Sequence, residues 1–127
     1  MIRAALVLAV LAGPALADER GAAIFADHCA VCHGADARGD GPTSTWLIRK
    51  PADLTQLAAG NGGTFPTLRI LTRIDGRDPF LDRRVAMPVY GNVLGGPLVP
   101  MTIETGQEVT VPEDLAAVVA WLQGVQE

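Results

Sequence analysis

Apolar and polar positions change rhythm several times along this chain of 127 residues. Residues 4–16 are an almost unbroken apolar run, relieved only by Gly13 and Pro14. Asp18 then stands as an N-cap for a helix over residues 19–32, which Gly34 ends. Residues 36–45 are rich in Gly, Asp and Pro and predict loop. A short helix fits near residues 53–59, stopped by Gly60-Asn61-Gly62-Gly63. A further helix is predicted over residues 66–75, where Leu68, Leu71 and Thr72 keep helical spacing with Ile70 and Ile74 beside them. Gly76 stops it. Residues 91–106 hold four Gly and two Pro, which predicts a long loop or a small irregular hairpin. Thr110-Val111-Pro112-Glu113 has the pattern of a capping box opening a last helix. Leu115, Val118, Val119 and Leu122 form the apolar face of that helix, with Trp121 alongside. The expectation is one all-α domain without internal repeat or linker.

Composition adds two constraints. Aromatic residues are only 5% of the chain, so a core built of protein alone would be thin. The net charge is -4 with no basic arm, which leaves nothing to neutralise nucleic-acid phosphates. The N-terminus reads as a secretory signal. Arg3 supplies its positive region, residues 4–16 its apolar region, and Ala15-Leu16-Ala17 the small-x-small cleavage pattern. A spanning helix needs about 20 apolar residues, more than this run offers. No Cys lies near the cleavage site to carry a lipid. Residues 1–17 are therefore expected to be cleaved after Ala17, leaving residues 18–127 as the exported, periplasmic domain. Arg3 is the sole charged residue lost, so the mature charge is -5.

The two cysteines, Cys29 and Cys32, sit in His28-Cys29-Ala30-Val31-Cys32-His33-Gly34. A thioredoxin-like disulfide calls for a strand-to-helix junction, and no β-branched run precedes Cys29. A zinc site calls for four ligands in separated pairs, and both histidines are immediate neighbours of a cysteine. The remaining reading is C-x-x-C-H, the attachment sequence for c-type haem. Two cysteines three apart share one helical face, so both thiols reach the vinyl groups on one haem edge. The histidine that follows is carried under the iron as a ligand. An apolar macrocycle also supplies the missing core volume. Its absence is expected to leave the chain without a stable fold. His28 is read as a surface residue.

With these residues in place, the sequence resembles a class I monohaem cytochrome c. Gly21, Phe25, Cys29, Cys32 and His33 stand at that family's spacing. Gly41-Pro42, Pro51-Ala52-Asp53-Leu54-Thr55, Met87-Pro88-Val89-Tyr90-Gly91 and Trp121 match its other segments. The resemblance implies a helical domain wrapped around one covalent haem, with the first helix crossing the last. It implies a one-electron carrier, not an enzyme, serving a redox donor and acceptor. The alternative is a haem subunit permanently docked on a periplasmic oxidoreductase, with residues 91–106 as a contact surface.

The resemblance also implies roles for single residues. The carbonyl of Pro42 would accept from His33, although Gly41-Pro42 also serves simply to turn the chain. Trp46 has two readings, an indole N–H donor to a haem propionate or plain packing at the haem edge. Arg49 and Lys50 read either as propionate partners or as a solvated pair. Met87 is the expected second axial ligand beside His33. Met101 competes with it, although Val99, Thr102 and Ile103 around it suggest a strand in which methionine fills a gap. Departing from the family, residues 91–110 form an unusually long stretch before the last helix. Five arginines fall between residues 69 and 84, among three aspartates. They read as a partner-steering patch or as a solvated mixed-charge segment.

Overall fold

A computed structural model describes residues 14–79 and 87–127, with residues 14–17 described as backbone. The expected signal segment thus lies largely outside the described residues. Helix α1 spans Pro14–His28, with proline at the first helical position, where its missing N–H costs nothing. It therefore begins before Asp18, which lies inside the helix instead of capping it.

The expected end at Cys32 is also corrected. The helix breaks at Cys29, and the single turn α2 (Ala30–His33) carries the chain on. The Tyr90 hydroxyl donates to the His28 carbonyl at 2.9 Å. The Cys32 N–H, which a continuous helix would give to His28, donates to Cys29 at 3.2 Å. Gly34 closes the turn as expected, its N–H donating to the Ala30 carbonyl at 2.8 Å.

Three isolated 3-10 turns follow, at Ser44–Trp46, Leu54–Gln56 and Ala59–Asn61. The last two replace the single short helix expected near residues 53–59. Helix α3 (Thr67–Asp75) stops at Gly76, as its sequence predicts. Its inner face is Thr67, Ile70, Leu71 and Ile74, while Leu68 is exposed. The spacing read from Leu68, Leu71 and Thr72 was one step out of phase with the buried stripe.

Strands β1 (Leu98–Thr102) and β2 (Glu108–Pro112) form an antiparallel hairpin, with Met101 opposite Val109 and Pro100 opposite Thr110. Among the described residues the fold is mostly helical, as expected, with a small two-stranded sheet where the sequence allowed a loop or a small hairpin. Because Thr110 is a strand residue, the expected capping box does not form. Helix α4 (Glu113–Gly124) begins after Pro112 with no side-chain cap. Its first amides find loop carbonyls instead. Glu113 N–H donates to Pro97 at 2.9 Å and Asp114 N–H to Gly95 at 3.0 Å.

Helices α1 and α4 cross at Gly21. A Cβ there would lie 2.3 Å from the Ala117 carbonyl oxygen and 2.7 Å from Trp121 Cβ. Glycine is required because the two backbones nearly touch. One turn on, the Phe25 and Trp121 rings meet at 4.4 Å between centroids, tilted by 32°. Leu115, Val118, Val119 and Leu122 are buried along α4, as the sequence predicts. Leu71 from α3 and Ile103 and Val111 from the hairpin join the same core.

Candidate functional site

A cavity of about 420 Å³ opens beside the cysteine turn. Cys32, His33, Leu54, Leu57, Ile70 and Met87 are among the residues that line it, with Arg49, Lys50, Arg69 and Arg73 also in its wall. Both cysteines are free thiols. Burial, with a smaller contribution from neighbouring Cys32, pushes the Cys29 thiol up to about 11. It stays protonated and neutral at ordinary pH. The Cys32 Sγ lies 3.2 Å from the Thr43 hydroxyl oxygen. That hydroxyl donates its own hydrogen to the Val31 carbonyl at 2.8 Å. Its oxygen is thereby left to accept from the Cys32 thiol. Thr43 carried no signal in the sequence beyond following Gly41-Pro42.

His33 has its Nδ1 at 3.0 Å from the Ala52 carbonyl oxygen. The acceptor expected at Pro42 is therefore found at Ala52. The physical reason lies in the Gly41-Pro42 loop, which is used to return the chain over the cysteine turn. Gly41 N–H donates to Cys32 at 3.1 Å and Thr43 N–H to Val31 at 3.1 Å, and Pro42 itself is exposed. A carbonyl only accepts, so Nδ1 carries the hydrogen and Nε2 keeps its lone pair. Desolvation lowers the His33 pKa, against a smaller opposing effect of the Ala52 bond. The ring is a neutral imidazole with one nitrogen free for a metal, the form a ligand must take.

Met87 lines the same cavity, while Met101 is half-buried in β1 and packs against the core. The segment after Met87 is tied down at Tyr90. Its N–H donates to Ile74 at 2.7 Å, and its hydroxyl reaches the end of α1. Trp46 stands away from the cavity at 85% exposure, and its neighbour Leu47 is the lining residue. Arg49 and Lys50 both line the cavity. Of the arginine-rich segment, Arg69 and Arg73 line it, Arg77 pairs with Asp75 at 2.5 Å, and Arg83 and Arg84 lie outside the described residues.

These residues fit a haem. The cavity lies in the size range of small-molecule and cofactor pockets, about 300–1,000 Å³. It offers apolar walls from Leu47, Leu54, Leu57 and Ile70, a thiol, and a neutral imidazole. Arg73 Nε faces Asp78 at 3.6 Å, while its buried Nη1 has no hydrogen-bond partner among the described residues, and an anionic carboxylate would supply that acceptor. Cationic side chains in the wall suit the two propionates of such a group.

Comparison with known proteins agrees with this geometry. A family model described as Cytochrome c matches residues 19–126. Neither the curated proteins nor the solved structures yield a match. The model spans the helix crossing, the cysteine turn and the cavity alike. The chain belongs to the cytochrome c family, which carries a covalent c-type haem through a cysteine pair such as Cys29 and Cys32 and transfers electrons with it.

Proposed function

We propose that the protein is an exported, periplasmic one-electron carrier whose haem iron takes His33 and Met87 as axial ligands. The observation that carries this reading is that His33 and Met87 line one cavity while Met101 lies in the hairpin. Bound haem supplies the Fe(III)/Fe(II) couple. The chain's part is to hold both ligand side chains in place through either oxidation state. The Ala52 carbonyl orients the His33 ring, and Tyr90 anchors the chain that presents Met87. Apolar lining from Leu54, Leu57 and Ile70 keeps water from the metal, and a methionine ligand favours the ferrous state and a higher potential. Among the described residues lining the cavity no acid is paired with a base, so electron transfer is preferred over an enzymatic role.

Exchange of the two methionines tests the ligand. Met87→Ala is expected to abolish the methionine–iron charge-transfer band and lower the potential. Met101→Ala should leave both nearly unchanged. The reverse pattern would assign the ligand to Met101.

Export is supported by the pattern of residues 1–17 and concerns the mature N-terminus. Expressed in a host that matures c-type cytochromes, the periplasmic protein is expected to have the mass of residues 18–127 plus one haem. A second reading is a subunit docked on a larger oxidoreductase. Leu98 on the hairpin is 70% exposed and Val93 just before it is also exposed, which favours a contact surface there. Native mass measurement from the original host separates the two. A lone monomer supports the free carrier, and a stable larger complex supports the subunit.

A further inference from the structure

The carbonyl that holds His33 belongs to a segment whose apolar anchors, Leu54 and Leu57, are only half-buried against the core. Across residues 51–58 only Thr55 is fully buried. Its position is set from two sides by hydrogen bonds. On one side the 37–39 loop abuts it. Leu54 N–H donates to Ala37 at 2.7 Å, and Gly39 N–H donates to the His33 carbonyl itself at 2.7 Å. Gly39 has φ +81, and a Cβ there would lie 2.4 Å from the Pro51 carbonyl oxygen and 3.1 Å from that of Ala52. On the other side stands the last residue pair of the chain. Gln126 Nε2 donates to the Leu54 carbonyl at 2.8 Å, and its Oε1 accepts from Ala58 N–H at 2.9 Å. The same Nε2 donates to Leu122 at 2.8 Å, which ties the amide to α4. Glu127 N–H donates to Thr55 at 3.0 Å, and its carboxylate pairs with Arg38 in the 37–39 loop.

We propose that Gln126 is a positioning residue that sets the His33–Ala52 hydrogen bond, and through it the electron-donating strength of the histidine. The inference rests on His33 being an axial ligand. One primary amide grips the 54–58 segment by both a donor and an acceptor, so it fixes position along the segment and not only its distance from α4. Ala52 lies two residues before the gripped carbonyl. A carbonyl acceptor on Nδ1–H makes the ring more basic, and a more basic ligand favours the ferric state. Releasing the grip weakens that bond and raises the potential.

The test uses the holoprotein with Gln126→Met, which keeps side-chain length and loses the amide. Gln123→Met is the control. It lies on the same helix end and donates to Thr67 at 3.1 Å, away from the 54–58 segment. In Gln126→Met, the Ala58 amide and the His33 Nδ1 hydrogen are expected to exchange with solvent faster, measured by NMR on the ferrous protein. The ferric–ferrous equilibrium should shift roughly threefold toward ferrous, about 28 mV upward at 59 mV per tenfold change for one electron. The control should move neither. Unchanged Nδ1 exchange and potential would overturn the proposal, whether or not the Ala58 amide is released. His33 ring signals in the wild-type ferrous protein judge the underlying reading separately. If they lack the large ring-current shift of a haem ligand, it is the ligation that fails.

Discussion

The helix crossing and the cavity wall are built by different means. Where α1 meets α4, side chains carry the structure. Phe25, Leu115, Val118, Val119 and Leu122 are buried, and Gly21 lets the backbones approach. In the wall formed by residues 47–58 most side chains are half-buried or exposed, and main-chain and amide hydrogen bonds hold the chain. Hydrogen bonds contribute only about 0.5–1.5 kcal/mol each on balance, whereas a buried large apolar side chain contributes about 1.5–3 kcal/mol. The crossing completes itself with protein atoms. The wall is shaped for a group that has to be supplied.

The strongest way to break this contrast is to prevent attachment. Cys29→Ser with Cys32→Ser is expected to abolish cooperative unfolding. Amide protection should vanish first across residues 47–58 and persist longest along α1 and α4. Equal protection in the two regions, read by hydrogen exchange, would erase the distinction.

A smaller effect probes the crossing alone. Gly21→Ala places a methyl against the Ala117 carbonyl, and overpacking of this kind costs about 1–3 kcal/mol. Denaturant titration of the holoprotein should show that loss, with the absorption bands of the haem unchanged. Altered bands would mean that the two regions are coupled.

The smallest effect concerns the polar edge of the crossing. The Asp114 carboxyl is held below its ordinary value by the hydrogen bond from Arg20, at 2.6 Å, with help from Gly95 N–H. Such a group stabilises the fold above its unfolded pKa, about 3.9. That contribution is lost as pH falls through the lower folded value. Asp114→Asn should therefore flatten part of the acid-side decline in stability, measured against pH, and leave the neutral-pH spectrum alone.

Legibility in the sequence followed the same division. Side-chain patterning exposed Cys29, Cys32, His33 and the α4 face, because each is a matter of residue type at a fixed spacing, while Phe25 and Trp121 were marked by the family resemblance. The hairpin also had a signal, in the alternation of Val99, Met101 and Ile103 with Val109 and Val111. The glycines and prolines of residues 91–106 left a long loop and a small hairpin equally open, and the structure holds the hairpin. Thr110 looked like a cap because composition alone does not show that a strand needs the residue first. The partner of His33 had no such signal. Any carbonyl serves as an acceptor, so nothing in the identity of Ala52 marks it over Pro42, and only the path of the backbone decides.

The bond between Cys32 and Thr43 depends on a hydrogen that haem attachment at Cys32 would remove. When a thiol adds across a haem vinyl, its sulfur bonds to carbon and its hydrogen is given up to the neighbouring vinyl carbon. The donor that Thr43 accepts from then no longer exists. With a thioether at Cys32 this contact would lose its hydrogen, and the Thr43 hydroxyl would keep its bond to the Val31 carbonyl.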